Sequence, residues 1–480
     1  RACPMRRVEV EEGASPRAKL GSSRQISDRS VESECSHTES GAACVPDEDY
    51  EEAQQILQDM DNSDYISIFS LMKNHPDSPT IQIETCKAIA NLELNHEDRE
   101  GAAEMGGVNF LIECMKHHHK NATIQELGCR ALWNLSSNED NQDIIADAGG
   151  IDIIVNAMTA HEKDPNVQEK SIAALSNLAV SQSNQELIVK SKAIDRIVHV
   201  MGVHMINAAV QEMGCIAFTN LASRSALLKT NIADAKGINA LVVMMMVHQN
   251  SAPLQAKALR SLRNLCANDD VNKQRVAEEG GIEYVIRAMQ DHRDDVCVQE
   301  QGCWTLSSIA VNANNKVIIG GLGGIDVIVR AMWVHIDSAS VLEWACRALW
   351  TLSVDQGNKI KVIEVGGIEA VVNGMRAHQD VPAVQEKGCG VLANLAANSD
   401  SNKVKIVDQE GLDVVIMAMI LHPNHRLVQD RACSALRKLV CTGTIATMKQ
   451  SGVGQVLETA KEKFPKQCKD KANFILEMIA

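Results

Sequence analysis

Apolar residues recur along this chain with helical spacing, and the arrangement of those stripes itself repeats. In residues 138–180, Ile144, Ile145 and Ala148 mark a short helix that Asn138-Glu139-Asp140 can cap and Gly149-Gly150 can end, because glycine takes up the left-handed turn most easily. Ile151, Ile154, Val155 and Met158 follow at offsets 0, 3, 4 and 7, the stripe of a second helix. Asp164-Pro165 opens a third, with Val167, Ser171, Ile172, Leu175 and Leu178 along its buried side. None of the three can bury its stripe alone. The pattern therefore predicts a unit of short helix, helix and longer helix whose core is completed by its neighbours.

The neighbours are present. A Met-x-x-His element ends at His75, His118, His161, His204, His248, His292, His335, His378 and His422, spaced by 43 or 44 residues throughout. Seven residues after each histidine stand Gln82, Gln125, Gln168, Gln211, Gln255, Gln299, Leu342, Gln385 and Gln429, so the loop between the two anchors keeps one length. A small-residue turn before an aliphatic residue recurs as Gly107-Val108, Gly150-Ile151, Ala193-Ile194, Gly237-Ile238, Gly281-Ile282, Gly324-Ile325, Gly367-Ile368 and Gly411-Leu412. Repetition at this period signals stacked helical units, here over residues 47–480. The stretch 444–480 keeps Gly452-Val453, loses Met-x-x-His and gains Lys461, Lys463, Lys466, Lys469 and Lys471, as a polar capping unit would. Residues 1–46 cluster Ser, Glu and Arg, contain three prolines and show no sustained period, and read as a disordered tail. Within it, Arg24-Gln25-Ile26-Ser27 has the basic-x-x-Ser form that many kinases accept, a match frequent in unmodified tails as well.

Composition narrows the picture further. Aromatic residues make up 3% of the chain against a hydrophobic fraction of 45%, a balance that suits packed helices better than sheets. The formal charge of −15 gives the whole chain no attraction for nucleic acid or anionic lipid. Apolar runs such as Leu241–Val247 and Val414–Leu421 fall far short of the roughly 20 residues of a membrane span, so no membrane insertion is expected. The sequence opens on Arg1, which leads to the expectation of further sequence upstream.

Several residue clusters have the form of chemical sites. Seven of the fifteen cysteines (Cys86, Cys129, Cys215, Cys303, Cys346, Cys389 and Cys433) share the slot four residues after the Gln anchor, which Ile172 and Leu259 fill elsewhere. The slot is apolar, so cysteine serves as a small hydrophobe. Equivalent slots of stacked helices lie about 8–10 Å apart, too far for a disulfide or a shared metal. Free thiols indicate a reducing compartment, hence the cytoplasm and also the nucleus. A ladder of Met-x-x-His spreads its members along the array and cannot converge on a metal; the Met reads as core and the His as a helix C-cap. Gly320-Gly321-Leu322-Gly323-Gly324 falls on the usual turn, with no strand before it and no Gly-Lys-Ser/Thr after it. No triad, paired carboxylates or zinc motif nominates a catalytic residue, a metal site or a cofactor.

The Gly-Gly-Ile turn and the run Val384 to Leu395, Val-Gln-Glu-Lys-Gly-Cys-Gly-Val-Leu-Ala-Asn-Leu, resemble the armadillo repeat over about residues 50–480. The resemblance implies an all-α fold, a right-handed α-solenoid of about ten three-helix armadillo repeats, whose third helices line a concave groove that binds protein partners. The implied function is a non-enzymatic scaffold or adaptor, a monomeric solenoid that holds an extended peptide or a partner domain and binds no nucleic acid. Alternatives are the regulatory armadillo portion of a kinase or ubiquitin ligase, or a chaperone-like or GTPase-binding member.

On the third helix, Asn91, Asn134, Asn177, Asn220, Asn264 and Asn394 share a slot that Ser308, Thr351 and Lys438 fill elsewhere. Eight residues earlier, on the same face, come Glu126, Glu169, Glu212, Glu300, Glu343, Glu386 and Asp430. Amides so placed can grip the backbone of an extended peptide, or tether neighbouring helices to one another. Four residues before the Asn slot stand Arg260, Trp304 and Arg347, and one before it Arg263, Trp350 and Trp133. Tryptophan and arginine on a polar face are the residues that most often dominate binding energy, so Arg260, Arg263, Trp304, Glu343, Arg347 and Trp350 are the expected centre of the groove. Nuclear-import members of the family repeat a Trp four residues before Asn; here that Trp occurs once, at Trp304, which argues against cargo import.

Overall fold

The computed structural model describes residues 65–91, 101–102 and 105–480. The expected tail at 1–46, with Cys3, Cys35 and Cys44, lies outside the described residues, as do residues 47–64. The chain divides after Asp47, and everything described belongs to the second part, Glu48–Ala480. Among the described residues every regular element is a helix.

The unit read from the pattern is realised as Glu139–Asp147, Gly150–Ala160 and Pro165–Leu178. Asn138 caps the first helix, its side-chain oxygen accepting from the Asp140 N–H at 2.8 Å. The two glycines of the turn do different jobs. Gly149 supplies a positive φ of 84°, whereas a Cβ on Gly150 would stand 2.7 Å from the Ile145 carbonyl oxygen. Lys192, Lys236 and Glu410 hold the positive-φ position in other units, at 58°, 66° and 61°. The glycine-rich stretch at Gly320–Gly324 is the same turn, with Gly323 at φ 82°. Here the helices Ala313–Gly321 and Gly324–Val334 bend by 71°, and no single helix among the described residues is long and apolar enough to cross a membrane.

Second helices pack on second helices and third on third along the array, so the core is one continuous sheet of contacts rather than a set of separate cores. The nine methionines of the Met-x-x-His elements are at most 3% exposed. At Gly128, Gly214, Gly302 and Gly388 an added Cβ would meet that methionine at 2.5–2.7 Å, so the third helix is notched to receive it.

Three hydrogen-bond ladders fix the stack. Each anchor glutamine donates through Nε2 to the carbonyls of the Met and the His of its own unit, as Gln299 does to Met289 and His292 at 2.9 and 2.8 Å. It thereby caps the C-terminus of the second helix from the third, which accounts for the invariant loop between the anchors. Each histidine stands at the expected helix C-cap, where its backbone N–H makes the capping bond, as from His161 to Ala157. The ring crosses to the preceding unit, with Nε2 of His161, His248 and His378 at 2.9, 2.8 and 2.8 Å from the carbonyls of His119, Met205 and Ile336. A carbonyl can only accept, so these rings carry their proton on Nε2. In the first helices, Asn184 donates to Gln142 and Leu178 carbonyls at 3.0 and 3.1 Å. The last unit, Ile445–Gln450, Val453–Lys463 and Pro465–Ile479, lacks the His and Gln anchors and joins its last two helices through Phe464 alone.

Candidate functional site

The third helices present their polar side between successive Asn slots, and the slots are connected from unit to unit. Asn264 donates through Nδ2 to the Thr219 carbonyl at 3.1 Å, Asn394 to Trp350 at 2.9 Å, and Asn134 and Asn177 to Ile89 and Trp133 at 3.4 Å each. Asn220 instead donates to Ser176 Oγ at 2.9 Å, and Asn91 accepts from Arg130 at 2.8 Å. Where the slot holds Asn, the ladder therefore ties neighbouring third helices together. A primary amide has two hydrogens, so Asn177, Asn220 and Asn394, which donate once in this way, keep a second for a partner.

The acidic ladder is engaged in a similar manner. Lys257 pairs with Glu212 at 3.2 Å, Lys387 with Glu343 at 3.2 Å and with Glu386 at 3.8 Å, and Lys471 with Asp430. Burial, followed by the nearby Asp164, pushes the Glu126 carboxyl above the usual carboxylate range.

The expected centre resolves into two aromatic clusters. Arg263 lies over Trp304, its guanidinium carbon 3.7 Å from the ring centre, and Trp344 stacks on Trp304 at 3.7 Å with the planes 8° apart. The guanidinium is held in that plane by Asn264 Oδ1 at 3.2 and 3.0 Å and by Gln301 Oε1 at 2.9 Å. Burial, with the charge of Arg260 next, lowers its pKa to about 10, so it remains a cation at neutral pH. In the second cluster, Trp350 lies between Arg431 at 4.9 Å and Arg347 at 5.8 Å. Its indole rests on Gly390, where a Cβ would stand 2.8 Å from the ring. Arg260 and Arg347 are exposed and Trp304 is half-buried. Trp350, unlike Trp304, packs against the continuous core.

Trp344, Gln301 and Arg431 were not singled out by the sequence reading, yet they complete both clusters. All three occupy the slot two residues after the Gln anchor, seven before the Asn slot, where Lys170, Lys257 and Lys387 stand in other units. An offset of seven keeps residues on one helical face, and that spacing was the available signal. Among the described residues no group of three metal-ligating side chains converges.

The sequence matches the family profile described as LRRK2 ARM repeat over residues 102–469. No curated protein matches it. Two solved structures, each described as an engineered protein, are 24% and 22% identical, cover 51% and 52% of this chain and 96% and 99% of their own, and give TM-scores of 0.46 and 0.47. A third, described by a phosphorylation switch that controls the interaction between cadherin and beta-catenin, is 13% identical over 91% of this chain and 97% of its own, with a TM-score of 0.49.

Proposed function

Because the chain belongs to the armadillo-repeat family, as an LRRK2 ARM repeat protein, we propose that it is a non-enzymatic scaffold or adaptor that grips an extended peptide or a partner domain along its third helices. The stack of Arg263, Trp304 and Trp344 carries this reading. Arg263 and Trp344 cover the two faces of Trp304, and hydrogen bonds to Asn264 and Gln301 hold the arginine in register over the ring. A side chain already held in its bound geometry loses little conformational freedom on binding. The exposed Arg260 and Arg347 flank the two clusters, and the second amide hydrogens of Asn177, Asn220 and Asn394 suit a peptide backbone. The same proposal places the protein in the cytoplasm or nucleus, acting as a monomer, and is supported there by its use of buried thiols as packing groups.

The test separates Trp304 from Trp350. Trp304→Ala should leave the melting curve nearly unchanged and weaken retention of the partner recovered by the wild type by about 2 kcal/mol or more. Trp350→Ala, which empties the seat on Gly390, should lower the melt as well. If the Trp304→Ala protein retains that partner fully, the stack is structural and the reading is wrong.

A further inference from the structure

At the C-terminal end of the same face the slots change character. Where most units hold Asn, this one holds Lys438, with Arg437 just before it and Ser434 four residues earlier. These three, with Lys403, Lys471 and Phe474, line an open cavity of about 460 Å3. Two of its cations are already matched: Lys403 donates to Asp400 at 2.7 Å and to the Val440 carbonyl at 3.2 Å, and Lys471 pairs with Asp430. Arg437 lies over Phe474, its guanidinium carbon 5.1 Å from the ring centre, a contact with the ring face that uses none of its N–H donors in a hydrogen bond. Arg437 and Lys438 are both exposed, and among the described residues neither has a carboxylate within ion-pair distance. The Ser434 hydroxyl already donates to the Asp430 carbonyl at 2.8 Å, so two uncompensated positive charges meet in one cavity of a chain whose net charge is −15.

We propose that this cavity binds a phosphorylated side chain of a peptide partner. A phosphate monoester near pH 7 carries close to two negative charges and three acceptor oxygens, which matches Arg437 and Lys438 in charge, whereas a single carboxylate leaves one cation unmatched. Phe474, 39% exposed, offers an apolar wall to the residue beside the phosphate. A nucleic-acid strand would require cations in succession, but the corresponding slots of the unit before hold Gly390, Ala393 and Asn394, with Glu386 on the same helix. The proposal rests on the reading of the third-helix face as the partner-binding face and assigns the chemistry of its C-terminal end.

The experiment applies the full chain to arrays of degenerate peptides with a fixed central phosphoserine, a serine or an Asp-Asp pair. The wild type should retain the phosphoserine array about tenfold or more over the serine array, as charge-assisted hydrogen bonds of this kind provide. Arg437→Ala with Lys438→Ala should abolish the difference. Since Arg437 also touches the capping unit, Lys438→Gln alone, which leaves that contact in place, should lose most of it and Lys438→Arg should restore it. Equal retention of the serine or Asp-Asp array, indifference to these substitutions, or displacement by a single-stranded oligonucleotide would overturn the assignment. No cellular partner enters this assay, so its failure leaves the tryptophan reading standing, and failure of the tryptophan test leaves this result standing.

Discussion

At the scale of single residues, the cysteine slot shows how little a reactive side chain reveals once it is buried. Burial pushes the thiols of Cys129, Cys215, Cys266 and Cys346 up to about 12, so almost no thiolate exists at neutral pH. Cys86 and Cys114 lie with their sulfurs 4.0 Å apart, closer than the spacing between equivalent slots, because Cys114 sits on a second helix. Cys297 is exposed, and burial of part of its surface followed by Asp295 raises its pKa more modestly. We predict that iodoacetamide at pH 8 modifies Cys297 well before Cys129, Cys303 or Cys389. Only the thiolate reacts, so the Cys297 rate should climb as pH rises past the ordinary thiol value. Peptide mapping of the modified protein checks this, and equal rates at Cys297 and Cys389 would contradict the burial of the slot.

At the scale of the element, one glutamine decides how two helices join. Gln299 donates to two carbonyls at the end of Gly281–Asp291 from the helix Val296–Ile309, and of these bonds the one to Met289 is buried and the one to His292 half-buried. Gln299→Ala strands the buried Met289 carbonyl, whereas the His292 carbonyl still accepts from the Asp295 N–H at 3.2 Å, and a buried acceptor left unmade costs about 1–3 kcal/mol. The expected readout is faster amide exchange in the last turn of Gly281–Asp291, with a lower melt. In one unit Leu342 fills the same slot, fully buried beside Gly374, where a Cβ would approach a Leu342 methyl at 2.7 Å, and the His335 carbonyl of that unit accepts from the Ser338 N–H at 2.9 Å.

At the scale of the whole array, each unit depends on its neighbours and on little else. Links between units join residues about one repeat apart, as His248 to Met205, Asn264 to Thr219 and Lys257 to Glu212 do. Stability is then a sum of unit and interface terms rather than one cooperative quantity. Replacing the fully buried Ile154 by Ala, worth about 2–5 kcal/mol in a packed core, should speed amide exchange in its own and the adjacent units. Third helices from Ala339–Leu352 onward should keep their protection. Uniform loss of protection along the chain would show a single cooperative block and contradict the nearest-neighbour account.

The helices, their order and their buried stripes were legible because periodicity is local: Ile151, Ile154 and Met158 declare one face whatever surrounds them, and nine copies of one spacing exclude coincidence. The residues proposed to bind were legible as types, so Trp304, Arg263 and Trp350 stood out on a polar face. Their partners were decided between units. Nothing in the spacing says that a His ring reaches back to the preceding unit, which of the two readings of the Asn amides holds, or that Trp344 lies flat on Trp304. Those contacts depend on the rise and rotation from one third helix to the next, and that displacement arises only when the units pack.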